Sequence, residues 1–172
     1  MPARPHGLIL GGARSGKTRL ALARVAAQGP QRLYIATAEA LDAEMAARIA
    51  RHRAERGPGW ETAEIPLDLP AAIAAARVPV LADCLTLWLS NLMHAGRDPE
   101  AETAALLAAL AEAPVPVTLV SNEVGLGIVP ETALGRAFRD AQGRLNQAVA
   151  AAVPQVTFAA AGLPLTLKGD PA

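Results

Sequence analysis

Along this chain, short unbroken apolar runs take turns with longer stretches in which apolar residues recur every three to four positions. "GLIL" (Gly7–Leu10) is a run of the first kind and ends in glycines. "TRLALARVAAQ" follows with helical spacing and stops at Gly29-Pro30. "RLYIAT" (Arg32–Thr37) predicts a second strand. "LDAEMAARIARHRAER" predicts a second helix, with Asp42 as N-cap and Gly57-Pro58-Gly59 as its stop. "DLPAAIAAAR" predicts a short helix, and "VPVLADCLTLWL" a strand that turns helical after Asp83. "AETAALLAALAEA" is an amphipathic helix, and "VPVTLVSNEVG" a strand leading into a loop. "TALGRAFRDAQGRLNQAVAAAV" is a long helix, and "QVTFAAAG" and "LPLTL" are closing strands near enough to pair as a hairpin. Strands buried on both faces lose the period-2 alternation and read as continuous apolar runs. The pattern therefore predicts a mostly parallel α/β sheet with helices on both faces and an antiparallel hairpin at one edge. No repeat or linker interrupts the 172 residues, which are expected to form one domain over 1–172.

Composition narrows the picture. Sixteen basic residues balance sixteen acidic ones, so no global field favours nucleic acid or an anionic membrane surface. The single cysteine, Cys84, excludes an intrachain disulfide and fits a reducing compartment. Leu145–Leu167 carries no formal charge, but Asn146, Gln147, Pro154, Gln155 and Pro164 break it into a helix end and two strands rather than a membrane span. The apolar run near the N-terminus is too short for a signal peptide. The expected location is the cytoplasm.

Candidate chemistry begins at "GGARSGKT" (Gly11, Gly12, Ala13, Arg14, Ser15, Gly16, Lys17, Thr18), which matches G-x-x-x-x-G-K-[ST] between a strand and a helix. The glycines let backbone N–H groups turn inward onto phosphate oxygens, and the helix N-terminus adds its dipole. Lys17 is expected to reach the β- and γ-phosphates, and Thr18 to hold Mg²⁺ through its hydroxyl. Such a site also wants an acidic strand end. Asp83 is the candidate, with a plain helix-capping role as its alternative. Cys84 beside it reads as a small buried packing residue.

"RIARHRAERGPGW" places His52 among four arginines. At about 100° per residue, Leu41, Met45 and Ile49 share one side of the helix, and His52 falls within about 20° of Leu41. Arg48 and Arg56 share that stripe, whereas Arg51 and Arg53 point elsewhere. Two readings stay open. One is a histidine that ends the core face. The other is a nucleophile kept unprotonated by neighbouring arginines, which themselves grip phosphate oxygens. His6 and His94 lack any such constellation and read as surface residues. Glu61 and Glu64 after Trp60 read as a solvated loop with the option of a ribose or base contact. Asn122 and Glu123 lie where strand ends meet ligands, with Glu123 a possible general base, or else simply form a turn. Trp88 and Phe138 read as core. Arg139, Arg144 and Asn146 receive no role.

Taken together, "GGARSGKT", "LYIATAE", "MAARIARHRAERGPGWETAE", "LADCLTLWLSNLM" and "SNEVGLGIVPETALGRAFRDAQGRLNQ" resemble, in order and over almost the whole chain, the bifunctional adenosylcobinamide kinase / adenosylcobinamide-phosphate guanylyltransferases of cobalamin biosynthesis. The resemblance implies a RecA-like P-loop fold and a homotrimer. It implies nucleoside-triphosphate phosphorylation of adenosylcobinamide, then GMP transfer from GTP to adenosylcobinamide phosphate through a guanylyl-histidine at His52. ATP and GTP are the implied nucleotides. Nucleotide contacts carry over to the P-loop, to Ala36, Thr37 and Ala38, to Arg53, Ala54, Glu55 and Arg56, to Glu64 and to Asp83. Two departures are visible. Arg51 stands where some members carry a second histidine, and Arg56-Gly57 stands where some carry Arg-Pro. Two other readings compete: a monofunctional small-molecule P-loop kinase with a structural His52, and a nucleotide-gated RecA-like interaction module.

Overall fold

A computed structural model describes residues 5–38 and 56–170. The predicted second helix, with Leu41, Asp42, Met45, Ile49 and His52, lies outside the described residues, apart from its last residue, Arg56. The strands are β1 (Gly7–Gly11), β2 (Arg32–Ala36), β3 (Trp60–Glu64), β4 (Val80–Asp83), β5 (Val117–Asn122), β6 (Gln155–Ala160) and β7 (Leu163–Lys168). The helices are α1 (Lys17–Ala26), α2 (Leu69–Ala75), α3 (Leu85–His94), α4 (Pro99–Glu112) and α5 (Ala133–Ala152).

The seven strands form one sheet in the order β3-β2-β4-β5-β1-β6-β7. Every pairing is parallel except β6 with β7, which is the expected edge hairpin. Strand β5 is therefore central, and it separates β1 from β4. The apolar runs explain this arrangement. Leu8, Ile35, Val80, Val117 and Leu119 enter a core with Leu85, Trp88, Leu89, Leu106 and Leu145, all fully or almost fully buried, from α3, α4 and α5. Their alternates Ile9, Tyr34, Leu81 and Val120 pack on the other face with Ala21 and Val25 of α1. Both faces of the central strands are thus covered, as predicted.

Local signals set the helix ends. Asp98 caps α4 by accepting from the Glu100 N–H at 3.1 Å, and Pro99 supplies a preset φ for its first turn. Thr132 caps α5 by accepting from the Gly135 N–H at 3.0 Å. Lys168 on β7 donates to the last carbonyls of that helix, Ala150 at 3.0 Å and Ala151 at 2.9 Å. The stretch Leu145–Leu167 resolves into the end of α5, β6 and most of β7. No helix among the described residues is long and apolar enough to cross a membrane.

Two expectations need correcting. Glu61 and Glu64 do not lie in a loop. They belong to β3, which pairs in parallel with β2 at the sheet edge. Half-exposed edge strands need no continuous apolar run, so "WETAE" carries little strand signal. His6 is not a surface residue. It is buried, and its Nδ1 accepts the Val117 N–H at 3.1 Å, satisfying a backbone donor at the start of β5. His94 is exposed, as expected, with Nδ1 2.7 Å from the Ser90 carbonyl oxygen. Trp88 is fully buried and Phe138 packs partly buried against the same core.

Two checks follow. Trp88 is fully buried, and its indole N–H donates to the Leu67 carbonyl at 2.7 Å. Trp88→Ala is expected to cost about 3–5 kcal/mol, read from the urea midpoint. Burial, reinforced by the Asp83 charge, pushes the Cys84 thiol up to about 11. The folded protein should therefore resist a thiol reagent at about pH 8 and release one equivalent only on unfolding, followed by absorbance.

Candidate active site

Parallel strands aim all their carboxyl ends at one edge of the sheet, and the candidate residues gather there. Gly11 ends β1 opposite Asn122 of β5, and Ala36 of β2 stands between Glu64 of β3 and Asp83 of β4. From Gly11 the chain wraps through Gly12, Ala13, Arg14 and Ser15 and enters α1 at Lys17. Arg14 and Gly16 have positive φ, 54° and 92°. Gly16 is required twice over. Its φ suits glycine, and a Cβ there would lie 3.0 Å from the Gly162 Cα. That neighbour belongs to the β6–β7 turn, which braces the loop. The Gly162 N–H donates to the Ser15 carbonyl at 2.9 Å, and Arg19 donates to the Gly162 carbonyl at 2.7 Å.

Inside the loop, Lys17 is buried and its ammonium donates to the Gly12 carbonyl at 2.6 Å. Ser15 Oγ is buried without a hydrogen-bond partner among the described residues. Thr18 donates its hydroxyl to Asp83 Oδ2 at 2.9 Å, joining α1 to the end of β4. Tyr34 donates its phenol to the same oxygen at 3.0 Å. Burial, with the Asp83 charge as the next cause, raises the Tyr34 phenol far above its ordinary value, so it stays a donor. One carboxylate and one hydroxyl are hard oxygen donors. They suit Mg²⁺, which takes few protein ligands and keeps phosphate oxygens and water in its remaining positions. No group of three or more His, Cys, Asp or Glu that could hold a metal occurs among the described residues.

The residues after β2 divide by role. Thr37 is fully buried, and its hydroxyl accepts from the Cys84 N–H at 2.8 Å and donates to the Cys84 carbonyl at 2.7 Å. Asn91 donates to the Thr37 carbonyl at 2.8 Å. Thr37 therefore clamps the ends of β2 and β4 together, and Ala36 and Ala38 flank that clamp. Arg56 is buried, its guanidinium 3.6 Å above the Tyr34 ring and donating to Thr62 Oγ1 at 2.8 Å. His52, Arg53, Ala54 and Glu55 lie outside the described residues.

Reading the sequence missed several side chains at this edge. Ser121, Gln142 and Asn146 form a buried network: Ser121 donates to Asn146 Oδ1 at 2.7 Å, and the Gln142 amide donates to Ser121 Oγ at 2.9 Å. Asn146 also donates to the Asn122 carbonyl at 3.1 Å, and the Asn122 N–H donates to Thr86 Oγ1 at 2.8 Å. The tip of β5 is thus held from α5 and α3. Glu123 donates its N–H to the Gly11 carbonyl at 3.1 Å, while its carboxylate accepts from the Gly125 N–H. Polar residues at helical spacing on α5 were the available signal. Tyr34, the single tyrosine, was hidden inside an apolar run.

Comparison with known proteins matches residues 7–167 to the family model described as cobinamide kinase / cobinamide phosphate guanyltransferase. The bifunctional adenosylcobalamin biosynthesis protein CobP of Pseudomonas aeruginosa is 52% identical over 170 residues, covering 95% of this chain and 98% of that protein. The bifunctional adenosylcobalamin biosynthesis proteins CobU of Salmonella typhimurium and Escherichia coli are 43% and 42% identical, each over 94% of this chain and 98% of theirs. With a P-loop at the carboxyl edge of a parallel sheet and a match over nearly its full length, the chain belongs to the cobinamide kinase / cobinamide phosphate guanyltransferase family.

Proposed function

We propose that this protein phosphorylates the aminopropanol hydroxyl of adenosylcobinamide and then transfers GMP from GTP to the resulting phosphate, giving adenosylcobinamide-GDP and pyrophosphate. The observation that carries the kinase half is the meeting of Thr18 and Asp83, 65 positions apart in sequence, at 2.9 Å beside the phosphate loop. Family membership carries the guanylyl half.

In the first reaction, ATP or GTP lies with its phosphates along Gly11–Thr18, where backbone N–H groups and the start of α1 neutralise charge. Lys17 leaves the Gly12 carbonyl for the β- and γ-phosphates. Thr18 and Asp83 would hold Mg²⁺, whose charge would offset that of the phosphates. The substrate hydroxyl oxygen attacks the γ-phosphorus and gives up its proton to solvent, the bond to the β–γ bridging oxygen breaks, and a nucleoside diphosphate leaves.

In the second reaction, a ring nitrogen of His52 attacks the α-phosphorus of GTP and pyrophosphate leaves. A phosphate oxygen of adenosylcobinamide phosphate then attacks that phosphorus, and the His52 nitrogen is the leaving group. Arg53, Ala54, Glu55 and Arg56, together with Ala36, Thr37, Ala38 and Glu64, form the nucleotide-contacting surroundings. Thr37 contributes through its backbone and by shaping the turn, because its hydroxyl is engaged with Cys84. The protein works as a homotrimer in the cytoplasm. Leu163, Leu165 and Leu167 along β7, and Leu126, Ile128 and Val129 after β5, are exposed apolar side chains of the kind that self-association covers.

Two outcomes test the proposal. Incubation with GTP labelled in the α-phosphate should leave acid-labile, base-stable label on the protein, and His52→Ala should abolish it. An unlabelled wild type, or undiminished label on the variant, overturns the covalent mechanism and leaves a kinase with a structural histidine. Asp83→Ala should lose metal-dependent kinase turnover by roughly a hundredfold or more, while the circular dichroism of the fold survives. Unchanged turnover would remove Asp83 from the site.

A further inference from the structure

At the carboxyl edge, among the described residues, the Tyr34 side chain meets both the phosphate-loop site and Arg56, which follows His52 in sequence. Tyr34 stands on β2 two residues before its end, on the face that carries α1. Its hydroxyl donates to Asp83 Oδ2, the same oxygen that accepts from Thr18. Its ring lies under the Arg56 guanidinium at 3.6 Å and meets the Trp60 ring edge-on, with centroids 6.3 Å apart. Thr62, which pairs with Tyr34 across β2 and β3, accepts from Arg56 at 2.8 Å and holds that guanidinium in place. Arg56 is four residues after His52, and four residues of chain span at most about 14 Å.

We propose that Tyr34 is a positioning residue for both reactions, its hydroxyl orienting the Asp83 carboxylate for the phosphate-loop site and its ring seating Arg56, the anchor of the histidine segment. This rests on the two-step reading above. The division of labour follows from physical chemistry. A hydroxyl donor on one carboxylate oxygen fixes the rotation of that carboxylate and leaves its other oxygen and remaining lone pairs for a cation. A planar guanidinium stacked on an aromatic face is held by its whole plane, which an ammonium cannot reproduce. The two contacts use different atoms of Tyr34, so substitution can separate them.

Tyr34→Phe removes the donor and keeps the ring. In calorimetric titrations of the full-length protein with GTP, the Mg²⁺ concentration that half-saturates the gain in GTP affinity should rise roughly tenfold. The rate of His52 labelling from α-labelled GTP, taken at saturating GTP and Mg²⁺, should stay within about twofold of wild type. Tyr34→Leu removes both contacts, and its labelling rate under saturation should fall roughly tenfold as well. Arg56→Lys guards against a folding defect in the leucine variant. It keeps the charge but loses the planar stack, so labelling at saturating GTP and Mg²⁺ should fall about as far as in Tyr34→Leu. Equal labelling losses in Tyr34→Phe and Tyr34→Leu, an unshifted Mg²⁺ dependence in Tyr34→Phe, or wild-type labelling in Arg56→Lys would each overturn the proposal. An unlabelled wild type would instead overturn the two-step reading itself.

Discussion

A carboxylate at the end of a strand must find donors, and at Asp83 that requirement organises the functional edge of the sheet. Leaving a partly buried carboxylate unsatisfied would cost more than any single surface contact gains. Thr18 and Tyr34 both donate to Asp83 Oδ2, one from α1 and one from β2. The phosphate loop comes from β1, two strands away from β4, so the helix that follows it must cross over β5 to bring Thr18 into reach. Placing α1 over β5, β1 and β4 is therefore a condition for the site as well as for the core. Ala21, Val25, Ile9, Leu81 and Val120 supply the apolar contact that holds it there.

The loop is braced from its other side by an element with no candidate chemistry of its own. The antiparallel hairpin β6–β7 turns through Ala161 and Gly162, both at positive φ, 52° and 78°, as tight hairpin turns demand. That turn accepts from Arg19 and donates to the Ser15 carbonyl, fixing the backbone between the loop and its helix. At the far end of the hairpin, Lys168 closes the carboxyl end of α5, and that helix carries the Gln142–Asn146 pair that holds the tip of β5. An edge hairpin thus braces the phosphate loop directly and, through α5, the tip of β5. Substitutions in it should be felt as loop misplacement as much as lost stability.

How much of this could be read beforehand depended on whether a residue's role was set by its neighbours in sequence or in space. Strands β1, β2, β4 and β5 were legible because burial on both faces leaves unbroken apolar runs. The phosphate loop was legible because its chemistry fixes residue types at fixed spacing. Strand β3 was not, because an edge strand beside β2 tolerates "WETAE". His6 was misjudged because its partner, the Val117 N–H, is 111 positions away. Asn146 and Gln142 looked like ordinary helix polars until Ser121 was brought against them. Asp83 was legible as a strand-end acid, and its link to Thr18 followed from the motif. The phenol that shares its oxygen was concealed by the apolar character of Tyr34's own strand.

The same distinction bears on how the two proposed reactions would divide the carboxyl edge of the sheet. Phosphate-loop catalysis needs backbone and a few rigid side chains, and β1, β4 and α1 supply them from within the core. The proposed guanylyl transfer through His52 needs a nucleophile from outside that cradle, on a separate segment. Such a segment helps only if its ends are fixed relative to the cradle. Thr37, locked to Cys84 on both sides of its hydroxyl, fixes the chain where it leaves β2. Arg56, stacked on Tyr34 and bonded to Thr62, fixes it where it returns to β3. Both anchors lead back to the end of β4, to Cys84 directly and to Asp83 through the Tyr34 phenol. The described residues on either side of the His52 stretch, Thr37 and Arg56, are therefore both tied to the end of β4, whose Asp83 carboxylate also accepts from Thr18.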